Sequence, residues 1–167
     1  MSTSYEFAAP DKVTVGTVGE VGARTFYLQA RQGFSTVTLK VEKQQVGALS
    51  SLLGRLLQDL ARPGQIEDDD LELDAFDSAE FVVGELAVSY DTSLDRVVIL
   101  AGELVGEDDA PGDDASVAMT REQAAALAIR GAQLVDAGRP PCPLCGFPLD
   151  PRGHACPRTN GHHPPLT

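Results

Sequence analysis

The sequence predicts an α+β protein: a mainly antiparallel sheet covered by two helices, with a small zinc-ribbon-like appendage at the C-terminus. Three observations predict it. Short runs within residues 12–41 alternate apolar and polar side chains, and these and the runs within 81–105 are joined by turn residues, the pattern of adjacent antiparallel strands. Two longer stretches, 43–62 and 120–138, each carry a single apolar stripe at helical spacing. All three cysteines and all three histidines of the 167 residues fall after Gly138.

Val13–Val18 reads as the first strand, interrupted by Gly16, and Val18–Gly22 as the turn that follows. Thr25–Arg31 alternates, with Phe26, Leu28 and Ala30 inward. Thr36–Val41 does the same, with Val37, Leu39 and Val41 inward and Thr36, Thr38 and Lys40 facing water. Gly33 between them predicts a hairpin. Val46, Leu49, Leu53, Leu56, Leu57 and Leu60 then line one side of a helix, which Pro63-Gly64 ends. That helix starts near Glu42 without a Ser, Thr, Asp or Asn cap. Glu67–Asp77 is acidic and reads as a solvated connector. Its Asp68-Asp69-Asp70 lacks the glycine and distal glutamate of a calcium loop.

Phe81–Tyr90 and Arg96–Val105 are two further strands around the turn Asp91–Asp95. Val97–Leu100 is apolar on both faces, which predicts a central strand. Glu107–Asp114 is an exposed loop, and Ser116–Met119 a short last strand. Thr120-x-x-Gln123 is a capping box. It opens a helix with Ala124, Leu127, Ala128, Gly131, Leu134 and Val135 inward, closed by Gly138 and Arg139-Pro140-Pro141. The predicted order is β-β-β-α-β-β-(β)-α, giving an acidic domain over residues 1–138 and a separate module over 139–167.

Charge bounds the partners. The net charge is −12. Residues 138–167 hold three Arg and one Asp, a balance of +2, so residues 1–137 carry −14. An acidic body repels nucleic acid and anionic membrane surfaces, whose affinity rests on Lys and Arg. Met1–Asp11 is polar and lacks the apolar core of a signal peptide, and no apolar run reaches membrane-spanning length. Three cysteines in one short segment suit a metal site in a reducing compartment, so the cytoplasm is the expected location.

Cys142-Pro-Leu-Cys145-Gly has the spacing of a zinc knuckle, a tight turn that aims two thiolates at one centre. Cys156 is the third ligand. His154, two residues earlier, shares a face with Cys156 on extended backbone. His162 or His163 are the alternative fourth ligands if Asn160-Gly161 turns the chain back. Three thiolates and one imidazole fill a tetrahedral shell, so the expected cofactor is a structural Zn2+. A redox C-x-x-C would want a strand-to-helix setting instead of the Pro-Pro stop found here.

Outside the tail no histidine is available to a Ser-His-Asp triad, and no phosphate-binding glycine motif occurs, so no catalytic residue is assigned. Two polar clusters are candidate ligand or partner surfaces. One is Glu42, Lys43, Gln44 and Gln45, where a strand hands over to a helix. The other is Arg24, Tyr27 and Gln29 on a neighbouring strand. Arg152 and Arg158 flank the expected zinc centre and are candidates for an anion.

Four segments, 20–30, 39–46, 81–86 and above all Cys142-Pro-Leu-Cys-Gly-Phe-Pro-Leu-Asp-Pro-Arg-Gly-His-Ala-Cys-Pro-Arg-Thr-Asn-Gly161, resemble an uncharacterised actinobacterial family built around a domain of unknown function. The resemblance covers most of the chain and includes the positions of His154 and Cys156. It implies a C-terminal zinc-ribbon-like motif with His154 as fourth ligand, and a gene neighbourhood with phosphatase-like and kinase-like proteins. Where the family pattern has an aromatic residue after Asn-Gly, this chain has His162. The expected function is therefore a non-enzymatic binding or adaptor protein that docks a protein partner and carries structural zinc. The alternative is an enzyme or ligand-binding protein for a phosphorylated small molecule, using the Arg24 and Glu42–Gln45 surfaces. Nucleic-acid binding through the tail ranks third.

Overall fold

The computed structural model describes residues 2–20, 22–60 and 71–136. The chain divides into two units, Met1–Val135 and Asp136–Thr167, and the sheet belongs to the first. Its elements run β1 (Ser4–Phe7), β2 (Lys12–Val18), β3 (Thr25–Gln32), β4 (Ser35–Val41), α1 (Lys43–Gln58), β5 (Phe81–Asp91), β6 (Arg96–Glu103), β7 (Asp114–Met119) and α2 (Arg121–Asp136). The strands form one sheet in the order β1-β7-β6-β5-β4-β3-β2.

The sheet is mixed, which corrects the mainly antiparallel expectation. β2-β3-β4 and β5-β6-β7 are antiparallel meanders, but β4 pairs with β5 in parallel, and so does β1 with β7. The cause is α1. Parallel neighbours need a long connection in place of a tight turn, and α1 with the residues that follow it supplies one between β4 and β5. The parallel seam is short, Leu39 opposite Phe81 and Lys40 opposite Val82. Glu80 N–H donating to Thr38 C=O at 2.7 Å extends it.

β1 is absent from the sequence-based expectation. It offers only two inward side chains, half-buried Tyr5 and buried Phe7, too few for alternation to stand out. β4 gains Ser35 and β7 gains Asp114 and Ala115 over their predicted spans, whereas β6 stops at Glu103.

Alternation divides the strands as predicted on the helix-covered face. Val13, Val15, Phe26, Leu28, Ala30, Val37, Leu39 and Val41 are buried there with Val46, Leu49 and Leu53 of α1 and Ala124 and Leu127 of α2. Leu53, Val97, Met119 and Ala124 have no exposed surface. Gly131 lets the helices approach, since a Cβ there would lie 2.1 Å from Ser50 Oγ on α1.

Both helices open on the same device. Gln123 Oε1 accepts from Thr120 N–H at 3.0 Å, and Thr120 Oγ1 accepts from Gln123 N–H at 3.1 Å, the capping box read from the sequence. In α1 the N-cap is Glu42, whose N–H donates to Gln45 Oε1 at 2.8 Å. Each glutamine then uses its amide nitrogen as a brace, Gln45 to Val83 C=O at 3.1 Å and Gln123 to Pro10 C=O at 2.8 Å. No helix among the described residues is long and apolar enough to cross a membrane.

Candidate functional site

On the opposite face of β2-β3-β4, residues 71–77 lie across the strands as a strap. The sequence-based expectation of a solvated connector is corrected for these residues; residues 67–70 lie outside those described. Thr14, Gln29 and Thr38 form a cross-strand row, each at most 2% exposed. Thr38 was expected to face water, and the strap is why it does not. Gln29 clamps the strap's backbone. Its Oε1 accepts from Asp74 N–H at 2.7 Å, and its Nε2 donates to Asp74 C=O at 3.1 Å and to Thr38 Oγ1 at 3.0 Å. Thr14 Oγ1 donates to Leu71 C=O. Leu73 fills the space left by Gly16, where a Cβ would lie 2.5 Å from Leu73 Cγ. Tyr27 meets Phe76 edge to face, with ring centroids 4.8 Å apart.

Asp74 completes the strap with ion pairs to Lys12 at 3.2 Å and Arg31 at 2.8 Å. Burial opposes its ionisation, but the hydrogen bonds and charges of Lys12 and Arg31 outweigh it and hold the carboxyl below its ordinary value. At the sheet edge Arg130 Nε donates to Val15 C=O at 2.6 Å, covering a carbonyl that an edge strand would otherwise leave open.

Tyr27 and Gln29 are thus separated from Arg24. Side chains alternate along β3, so odd-numbered residues point to the strap and even-numbered ones to the helices. Arg24 instead joins Glu42 and Lys43. Two positive-φ glycines, Gly19 (φ 106) and Gly22 (φ 91), turn the chain from β2 into β3. The start of β3 lies beside the end of β4, with Phe26 opposite Val41 and Tyr27 opposite Lys40.

An open pocket of about 430 Å3 forms there, lined by Gly22, Arg24, Phe26, Lys40, Glu42 and Lys43 among others. The Arg24 guanidinium sits 5.9 Å from the Phe26 ring centroid. Among the described residues, Lys40 and Lys43 form no ion pair and no side-chain hydrogen bond. The lining thus carries Arg24, Lys40 and Lys43 with Glu42, in a chain of net charge −12. Gln44 is exposed beside the pocket but does not line it. Lys40, facing the other way along β4 in the sequence-based reading, is the lining residue that reading missed.

A third polar cluster ties the β5–β6 turn to α2. Asp95 (φ 52) accepts from Tyr90 Oη and from Arg121 Nε at 2.8 Å. The Tyr90 and Arg121 hydrogen bonds hold the Asp95 carboxyl below its ordinary value. The geometry is that of a surface brace.

Cys142, Cys145, His154, Cys156, His162, His163, Arg152 and Arg158 all lie outside the described residues. Among the described residues, no group of three or more His, Cys, Asp or Glu is arranged to hold a metal ion.

Fold and site define the class: an acidic α+β protein with a mixed sheet, a strapped sheet face and a small cationic pocket. Residues 5–156 match the family described as protein of unknown function DUF3090, and the chain belongs to that family. No curated protein and no solved structure matches it.

Proposed function

We propose that the protein works by binding rather than by catalysis, and that its ligand is a phosphorylated small molecule held in the Arg24–Lys43 pocket. The observation that supports this reading is the pair of unpaired lysines, Lys40 and Lys43, beside Arg24 in a strongly acidic chain. Ammonium and guanidinium groups converging on one open pocket suit phosphate oxygens. Screening limits the repulsion of distant carboxylates to about 8 Å at physiological salt, so the pocket's own charges decide what enters. A polyanion would have to cross the surrounding acidic surface; a small phosphate ester would not.

The same proposal gives residues 139–167 a structural zinc. The donor set fits: Cys142, Cys145 and Cys156 with one imidazole is a ligand set that structural zinc takes. The family match runs through Cys156 and stops short of His162 and His163, which supports His154 as the fourth ligand. When bound, the ion supplies folding free energy to that segment.

Isothermal titration of the full chain with pyrophosphate and with phenyl phosphate tests the pocket. Saturable binding is expected, and Lys40→Gln with Lys43→Gln should weaken it at least about tenfold with an unchanged circular dichroism spectrum. Both lysines are exposed, so the fold should tolerate the change. Absence of binding by both probes at millimolar concentration, or equal affinity in the double variant, rejects the reading.

A further inference from the structure

The strap covers one half of the sheet's second face, and among the described residues nothing lies over the other half. There β6 shows why it is apolar on both sides. Val97 and Ile99 are buried against the helices, while Val98 and Leu100 point the other way and Leu100 is 48% exposed. Leu100 lies between Ala87 and Ser116, and Val98 between Ser89 and Ala118. These neighbours are small, so the sheet backbone lies near the surface along a shallow concavity of about 610 Å3. A solvated antiparallel face ordinarily carries polar side chains along its outward positions. The centre of this one carries Ala87, Leu100, Ser116, Ser89, Val98 and Ala118, with no charge among them.

Its end is acidic. Glu85, Asp114 and Glu6 all line the concavity, and no Lys or Arg does. Glu85 lies flat across Gly102, where a Cβ would sit 3.2 Å from its Oε1. Among the described residues none of the three carboxylates is in an ion pair.

We infer that this bare half of the sheet docks a basic segment of a partner protein, with aliphatic side chains over Leu100 and Ala87 and Lys or Arg against Glu6, Glu85 and Asp114. The charges select among occupants. A second copy of the same face would set these carboxylates against themselves. Nucleic acid and anionic membrane are repelled in the same way. The surface is independent of the phosphate pocket, so either proposal can fail alone.

The test uses the full chain, 15N-labelled, titrated with a decapeptide of alternating Lys and Val and with its Glu–Val counterpart. The basic peptide should shift the amides of Ala87, Leu100 and Ser116 saturably, and the acidic one should not. Glu85→Lys with Asp114→Lys should weaken the basic peptide at least tenfold. Leu100→Ser, at an exposed position, should weaken it without unfolding the sheet. Three results overturn the inference. These are no shifts at millimolar basic peptide, equal shifts with both peptides, or shifts confined to the β2 edge. Sedimentation equilibrium showing a dimer that Leu100→Ser dissolves would assign the face to self-association and overturn it as well.

Discussion

Replacing Gln29 by Met tests whether residues 71–77 are held by the clamp described above. Methionine keeps the length and unbranched stem of glutamine and removes its polar atoms, so packing changes little. Three hydrogen bonds disappear, at 2.7, 3.0 and 3.1 Å. They leave the N–H and C=O of Asp74 and the Thr38 hydroxyl to find new partners, at a position where Gln29 itself is 2% exposed. An unsatisfied buried polar group costs about 1–3 kcal/mol. The Thr38 hydroxyl can rotate and the strap can admit water, so the sum falls to about 2–4 kcal/mol for the set. If the strap detaches instead, water satisfies the same groups. The loss of global stability is then capped at the free energy with which the strap docks.

Urea unfolding and native-state hydrogen exchange distinguish these outcomes. A fall in stability of about 2–4 kcal/mol with an unchanged m-value indicates a strap that stays in place. A smaller fall with faster exchange confined to the Asp74 amide and its neighbours indicates local release. Stability within about 0.5 kcal/mol of the parent, the scale of an ordinary surface substitution, with Asp74 exchanging as slowly as before, would refute the clamp.

Further outcomes follow from the same geometry. Leu53→Ala, at a position of α1 with no exposed surface, should cost about 2–5 kcal/mol in urea unfolding, because the core around it cannot close the cavity fully. Gly84→Ala should destabilise by about 1–3 kcal/mol and shift Leu104 amide resonances, since the new Cβ would lie 2.8 Å from Leu104 Cα where the β5–β6 register shifts. Asp74 ionises more readily folded than unfolded, so its contribution is present above the ordinary carboxylate value near pH 4 and is lost as pH falls through its lower native value. Asp74→Asn should therefore flatten the fall of stability below about pH 4; an unchanged slope would show that Lys12 and Arg31 do not favour the charged form. Chelation should remove about one zinc per chain and collapse the HSQC peaks of residues 142–163 while those of the sheet persist. Collapse of both sets together would disprove two separately folding parts.

What was legible in the sequence depended on range. Period-2 alternation placed β3 and β4, each with three buried inward side chains, apolar runs around turn residues placed β2, β5 and β6, and helical periodicity placed α1 and α2. Strand direction was not legible, because the apolar pattern is the same for parallel and antiparallel neighbours. Only the crossover through α1 decides it. The clamp was equally hidden: Gln29 and Asp74 are far apart in the chain, and nothing in an acidic connector reveals that a buried glutamine will grip its backbone. The pocket is the instructive intermediate case. Gly33 predicts the β3–β4 hairpin, and the observed register sets Phe26 against Val41. That pairing leaves the start of β3, just after Arg24, beside the end of β4, just before Glu42 and Lys43. Arg24 from one polar cluster and Glu42 and Lys43 from the other thus line one pocket. Tyr27 and Gln29 face the strap and do not line the pocket, whereas Lys40, opposite Tyr27, does. A phosphate ligand, if the titration finds one, is therefore held by residues that a single tight turn brings together, and its affinity should depend on the β3–β4 register as much as on any one cation.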